Sequence, residues 1–115
     1  MVFYKNTVSL LKRQIDTKNI LRKYPSYIPV IIDRSDELEK KIIKQKYLVP
    51  KDLTCSHLLI IVRKNMKDSH KAIFIFSNNI LIMPYDSLES LYEKYHDKED
   101  NYLYLYLTYE NTFGN

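Results

Sequence analysis

A chain of 115 residues holds one domain with room for a single hydrophobic core, and 45% apolar with 28% charged residues describe a soluble globular protein. No apolar run approaches the ~20 residues of a membrane span, no uninterrupted apolar stretch near Met1 reads as a secretory leader, and the one cysteine, Cys55, rules out an internal disulfide and fits a reducing cytoplasm. The net charge of +4 is laid out unevenly, with Lys5, Lys12, Arg13, Lys18, Arg22 and Lys23 against Asp16 at the start and seven acids against Lys94 and Lys98 between Asp86 and Glu110.

In chain order, residues 3–9 and 11–22 read as two short helices, with Leu10, Leu11, Ile15 and Leu21 expected to form the buried stripe. Tyr24-Pro25 ends the second helix, because the residue before proline avoids the helical region. The β-branched run Ile28–Asp33 predicts a strand, with Pro29 at its start or along an unpaired edge. A polar connection over Ser35–Lys41 leads to a second strand over Ile42–Val49, and the two form an antiparallel hairpin.

Pro50 stops that strand, and Asp52 or Thr54 can cap a helix running to Asn65, whose inner face carries Leu58, Ile61 and Val62. Ala72–Phe76 alternates as a strand, followed by an Asn78-Asn79 turn, since asparagine tolerates left-handed backbone. Ser87–Tyr95 reads as a further helix carrying Leu88, Leu91 and Tyr92. Asn101–Thr108 alternates Tyr102, Tyr104 and Tyr106 with Leu103, Leu105 and Leu107, the period of a strand with two different faces. The order ββαββ, closing in a strand that runs into the tail, is that of a ubiquitin-like β-grasp.

Every internal turn is built without glycine. The only one, Gly114, lies in the tail behind Phe113 and is followed by Asn115. A residue with no Cβ leaves its carboxyl carbon uncrowded and fits a narrow channel, which suits a protein ligated through its own C-terminus. Other chemistry reads blandly. His57, His70 and His96 have no metal-ligand spacing, so no metal or other cofactor is expected. Cys55 sits at a helix start, where the dipole can lower a thiol pKa, but a nucleophile also needs a positioned base; it reads as partly buried and structural. Asp97, Glu99 and Asp100 read as a charge-rich turn, and the basic N-terminal residues mostly as a solvated helix face. A basic stripe without a nucleic-acid motif binds non-specifically at best.

Several ordered blocks carry a resemblance. Arg22-Lys23-Tyr24-Pro25-Ser26-Tyr27-Ile28-Pro29-Val30-Ile31, Lys46-Tyr47-Leu48-Val49-Pro50-Lys51-Asp52-Leu53-Thr54, Ala72-Ile73-Phe74-Ile75-Phe76-Ser77-Asn78-Asn79 and Leu91-Tyr92-Glu93 resemble, in order and spacing, segments of the GABARAP and light-chain-three branch of the autophagy-related protein eight family. The resemblance covers essentially the whole chain. It implies an α+β fold: a ubiquitin-like β-grasp with a four-stranded mixed sheet and two extra N-terminal helices. The organisation expected is an N-terminal extension over 1–23, a ubiquitin-like domain over 24–110 and a flexible tail over 111–115.

The function implied is that of a modifier, not an enzyme. A processing cysteine protease removes Asn115. Activating and conjugating enzymes then carry the Gly114 carboxylate to phosphatidylethanolamine, moving a cytoplasmic monomer onto autophagosomal or other membranes. The second implied activity is capture of receptors bearing aromatic-x-x-aliphatic segments, which add a strand beside the second strand. The aromatic pocket maps onto Asp16, Ile20, Pro29, Lys44, Lys46, Leu48 and Tyr102, with Lys44 and Lys46 expected on the pocket side. The aliphatic pocket maps onto Tyr47, Val49, Pro50, Leu53, Leu58 and Ile61.

Without the resemblance, Leu53, Leu58 and Ile61 read simply as core. Tyr27, Leu58, Tyr102 and Ile82-Met83 depart from the family pattern of arginine, an aromatic, phenylalanine and a proline pair. Two other readings stand beside this one: a protein-conjugated modifier of the same pathway, and a basic nucleic-acid or cytoskeleton-binding module that is never conjugated.

Overall fold

The computed structural model of the chain describes residues 3–66 and 71–109. Its elements are α1 (Tyr4–Thr7), α2 (Leu10–Lys23), β1 (Tyr27–Arg34), α3 (Asp36–Glu39), β2 (Lys46–Pro50), α4 (Cys55–Arg63), β3 (Phe74–Ser77), β4 (Ile80–Ile82), α5 (Leu88–Tyr95) and β5 (Leu103–Thr108). The strands form one mixed sheet in the order β2-β1-β5-β3-β4, with β1 and β5 parallel and the other pairs antiparallel. This is the ubiquitin-like α+β arrangement, with five strands where four were expected. The fifth, β4, is three residues long. It follows a two-residue turn in which Asn78 and Asn79 have φ of 50° and 64°, a geometry matched to hairpin twist.

Strand alternation sorts the sheet into two faces. Ile28, Val30 and Ile32 of β1 and Leu103, Leu105 and Leu107 of β5 join Leu58 and Val62 of α4 and Leu88 and Leu91 of α5 in the main core. The opposite face is smaller and more polar: Ile31 and Tyr102 pack with Tyr4, beneath the two N-terminal helices. Pro29 is tolerated because β5 pairs with β1 only from Val30 onward, so the ring lies where β1 has a neighbour on one side.

Two expectations fail in an instructive way. Leu11 and Ile15 do not line a buried stripe: they are 67% and 48% exposed, while Arg13 and Thr17 are buried. The turn before β5 carries Asp100, whose carboxylate takes the Arg13 guanidinium at 2.5 Å and whose carbonyl accepts from the Thr17 hydroxyl at 2.6 Å. Rotating the helix to bury Leu11 would strand that charge. The second strand also starts later than expected, at Lys46 instead of Ile42. The connection before it contains α3, whose buried Leu38, together with Ile42, plugs the sheet end. Ile42 is held there by its amide to the Leu38 carbonyl (2.8 Å) and by Arg34 Nε donating to its own carbonyl (2.8 Å).

Helix starts follow local chemistry closely. Ser9, Thr54 and Ser87 cap α2, α4 and α5 through their hydroxyls. At α4 the cap is reciprocal: the Thr54 amide donates to His57 Nδ1 at 3.0 Å, so a histidine fills the position usually held by Glu or Gln. Thr54→Ala should therefore cost about 1 kcal/mol, read as a lower urea midpoint with an unchanged slope. A loss below a few tenths would show that the Thr54–Ser87 bridge, not the cap, holds this turn.

Candidate functional site

Among the described residues β2 is an outer strand of the sheet, paired only with β1, so its far edge offers backbone donors and acceptors to another chain. Its side chains alternate between the faces. Lys46 and Leu48 stand on the side of the N-terminal helices, while Tyr47 and Val49 point into the main core.

On the first side, Leu48 lies opposite Pro29 in the ladder and Lys46 opposite Ile31. Asp16 and Ile20, four residues apart on one face of α2, form the facing wall. Asp16 accepts from the Lys12 ammonium at 2.5 Å and lies 3.9 Å from that of Lys46. Tyr102 closes the floor: it is 1% exposed, its ring meets Tyr4 edge-on at 5.9 Å, and burial, then the neighbouring Tyr4 and Asp16, raise its phenol pKa. Its hydroxyl and Asp16 Oδ2 have no hydrogen-bond partner among the described residues. The helix wall is held by the Arg13–Asp100 pair, with Tyr104 Oη donating to the same carboxylate at 2.6 Å. Neither Arg13 nor Asp100 stood out in the sequence; the clue was an arginine and a threonine four residues apart on an otherwise polar stripe.

Lys44 does not share this side. It precedes β2, and its ammonium lies 4.8 Å from the centroid of the Tyr47 ring. The Ile32 amide still donates to the Gln45 carbonyl at 2.8 Å, so the ladder bonding ends just after Lys44, and the alternation expected to align Lys44 with Lys46 stops there.

On the opposite side, Tyr47, Val49 and Leu58 are buried within the main core, and Pro50, Leu53 and Ile61 are half-buried around them. The first three form a floor and the second three a shallow rim between β2 and α4. Tyr27 is exposed and packs edge-on against Tyr24 at 6.0 Å.

The remaining reactive side chains are occupied structurally. Cys55 is fully buried, not partly so, and burial together with Asp86 pushes its thiol up to about 12; desolvation outweighs any help from the helix N-terminus. His57 belongs to the α4 cap, and His96 donates from Nδ1 to the Tyr92 carbonyl at 2.6 Å. His70, Gly114 and Asn115 lie outside the described residues. Among the described residues no helix is long and apolar enough to cross a membrane.

Comparison with known proteins meets this geometry. The family model for the ubiquitin-like autophagy protein Atg8 matches residues 12–114. The chain is 43% identical over 113 residues to autophagy-related protein 8d of Arabidopsis thaliana, spanning 96% of this chain and 93% of that one. It is 41% identical to autophagy-related protein 8 of Mycosarcoma maydis, spanning 96% and 95%. Among solved structures, Trypanosoma brucei ATG8 superposes with a TM-score of 0.82 at 26% identity, covering 99% of both chains. Plasmodium falciparum Atg8, in complex with an Atg3 peptide from the same organism, superposes with a TM-score of 0.80 at 31% identity, covering 96% and 98%. The chain therefore belongs to the Atg8 family of ubiquitin-like autophagy proteins.

Proposed function

We propose that this chain is a conjugated autophagy modifier, processed after Gly114, joined to phosphatidylethanolamine on autophagosomal membranes, and used there to recruit proteins with aromatic-x-x-aliphatic segments. The observation that carries the recruiting half is the placement of the two residue sets on opposite faces of the sheet at one free edge. In an extended strand, residues three apart point to opposite faces. A segment added along β2 would send its aromatic residue toward Asp16, Ile20, Pro29, Lys46, Leu48 and Tyr102. Its aliphatic residue, three positions on, would then drop toward Pro50, Leu53 and Ile61 above Tyr47, Val49 and Leu58. Lys46 suits acidic residues preceding the aromatic one.

The modifier half rests on family membership and on the tail ending Phe113-Gly114-Asn115. A peptide of Atg3 bound to the Plasmodium falciparum relative supports docking of a conjugating enzyme on the same fold. The chain contributes the carboxylate and its presentation; the catalysis belongs to the processing and conjugating enzymes.

Calorimetric titration with a Trp-x-x-Leu peptide carrying acidic residues ahead of the tryptophan tests the recruiting site. Lys46→Ala combined with Leu48→Ala should weaken binding roughly 10- to 100-fold, one lost charge contact and one truncated apolar wall. Equal affinity in parent and variant would overturn the assignment of the aromatic pocket.

A further inference from the structure

The segment between α3 and β2 carries a feature that peptide capture does not use. Residues 40–46 read Lys-Lys-Ile-Ile-Lys-Gln-Lys, four lysines and no acid. Ile42 turns inward and is buried, whereas Ile43 is 84% exposed, more than any other large apolar side chain among the described residues. An isoleucine held out in water between lysines, on a backbone fixed on both sides by the Ile42 and Gln45 hydrogen bonds, has no stabilising role in the fold.

Its position gives it one. β1 and β5 run parallel with Arg34 beside Leu107, and the Ser35 amide donates to the Leu107 carbonyl at 3.0 Å. The connection after β1 therefore covers the end of the sheet from which the C-terminal tail departs. The Lys41 ammonium lies 3.3 Å from the Tyr109 hydroxyl and 5.2 Å from its ring centroid, and Lys71 lies 5.1 Å from the same centroid. Gly114 follows Tyr109 by five residues, a reach of at most about 18 Å. Of the acids on α3, Glu37 is paired with Lys71 at 3.2 Å.

We propose that this loop is a membrane-contact site for an anionic bilayer, with Ile43 entering the interfacial region and Lys40 and Lys44 meeting lipid phosphates and carboxylates. The proposal rests on Gly114 being the point of attachment to lipid. A protein held only by a tail can swivel. A second contact at the same end, apolar at its tip and basic around it, fixes its orientation and leaves the β2 edge accessible. One acyl anchor and a basic patch are known to act together on charged membranes.

The chain contains no tryptophan, so Ile43→Trp is a lone reporter. The full chain carrying Gly114→Cys and Ile43→Trp would be coupled through its thiol to maleimide lipid in vesicles of phosphatidylcholine, with or without phosphatidylserine. Buried Cys55 is unavailable to the maleimide. Coupling is chemical, so the outcome does not depend on whether cells conjugate the chain.

On phosphatidylserine vesicles the emission should move to shorter wavelength and be quenched by brominated acyl chains. Adding Lys40→Glu should lower the loop-inserted fraction roughly 10-fold or more. The same chain uncoupled should show only weak, salt-sensitive vesicle binding. Emission that stays water-like on fully coupled phosphatidylserine vesicles, in a chain with unchanged circular dichroism, overturns the proposal. A shift with soluble polyglutamate but not with vesicles also overturns it, in favour of an acidic protein partner. If the loop inserts but cells never modify Gly114, the conjugation reading falls and the membrane contact stands only as a property of the loop.

Discussion

Replacing Asp100 with alanine should cost about 3–5 kcal/mol, the scale for removing one partner of a buried ion pair. The carboxylate is wholly buried and holds three groups: the Arg13 guanidinium, the Tyr104 hydroxyl and, through Oδ1, the Tyr102 amide at 2.9 Å. Its loss leaves Arg13 charged, buried and uncompensated, and removes the tie between α2 and the sheet. Against a total stability of about 5–15 kcal/mol, that is a large fraction.

Urea unfolding would read the cost. Native-state hydrogen exchange would show whether α2 opens before the sheet does. Lys51→Ala is the control: its partner Glu89 lies 3.6 Å away and both side chains are half exposed, so a change within about 1 kcal/mol is expected. If Asp100→Ala costs no more than this control, α2 is held instead by main-chain ties such as the Thr17 hydroxyl to the carbonyl of residue 100. Because Asp16 and Ile20 belong to the same helix, peptide binding at the aromatic side should weaken together with α2 protection.

Gly114→Ala should remove the lipid-linked form completely while leaving peptide affinity unchanged. The reasoning is steric: a Cβ at the reacting residue crowds both the protease channel and the carboxyl that must become a thioester. The lipid is then the anchor that is lost, since among the described residues no helix is long and apolar enough to cross a membrane. With it, two acyl chains contribute about 0.8 kcal/mol per buried methylene. Intact mass spectrometry of membrane and soluble fractions checks this. The parent should lose Asn115 and gain the mass of phosphatidylethanolamine in the membrane fraction, and the variant should not. A variant that still acquires lipid would place the attachment elsewhere.

What could be read along the chain, and what could not, divides by the distance over which the deciding interaction acts. The Tyr/Leu alternation of β5, the Asn78-Asn79 turn and the Thr54 cap depend on neighbours within four residues, and each stands where the residues predicted it. The ordered blocks likewise placed both β2 residue sets on one strand. By contrast, the face that α2 buries was set by Asp100, 87 residues from Arg13, against the helix's own apolar pattern. Isolated periodicity cannot see a charge in a distant turn.

β4 escaped notice because three residues carry too little pattern; they form a strand only through pairing with β3. Ile42 and Ile43 are chemically identical, yet one is core and the other projects into solvent. The sequence by itself determined the family, through its ordered blocks, and the main helices and strands, the Asn78-Asn79 turn and the glycine near the end of the chain, through local backbone preference and residue spacing. The tertiary structure alone decided which helix face is buried, that Lys44 and Lys46 diverge, and that a basic loop sits beside the departing tail, because each depends on groups brought together only by the closed sheet.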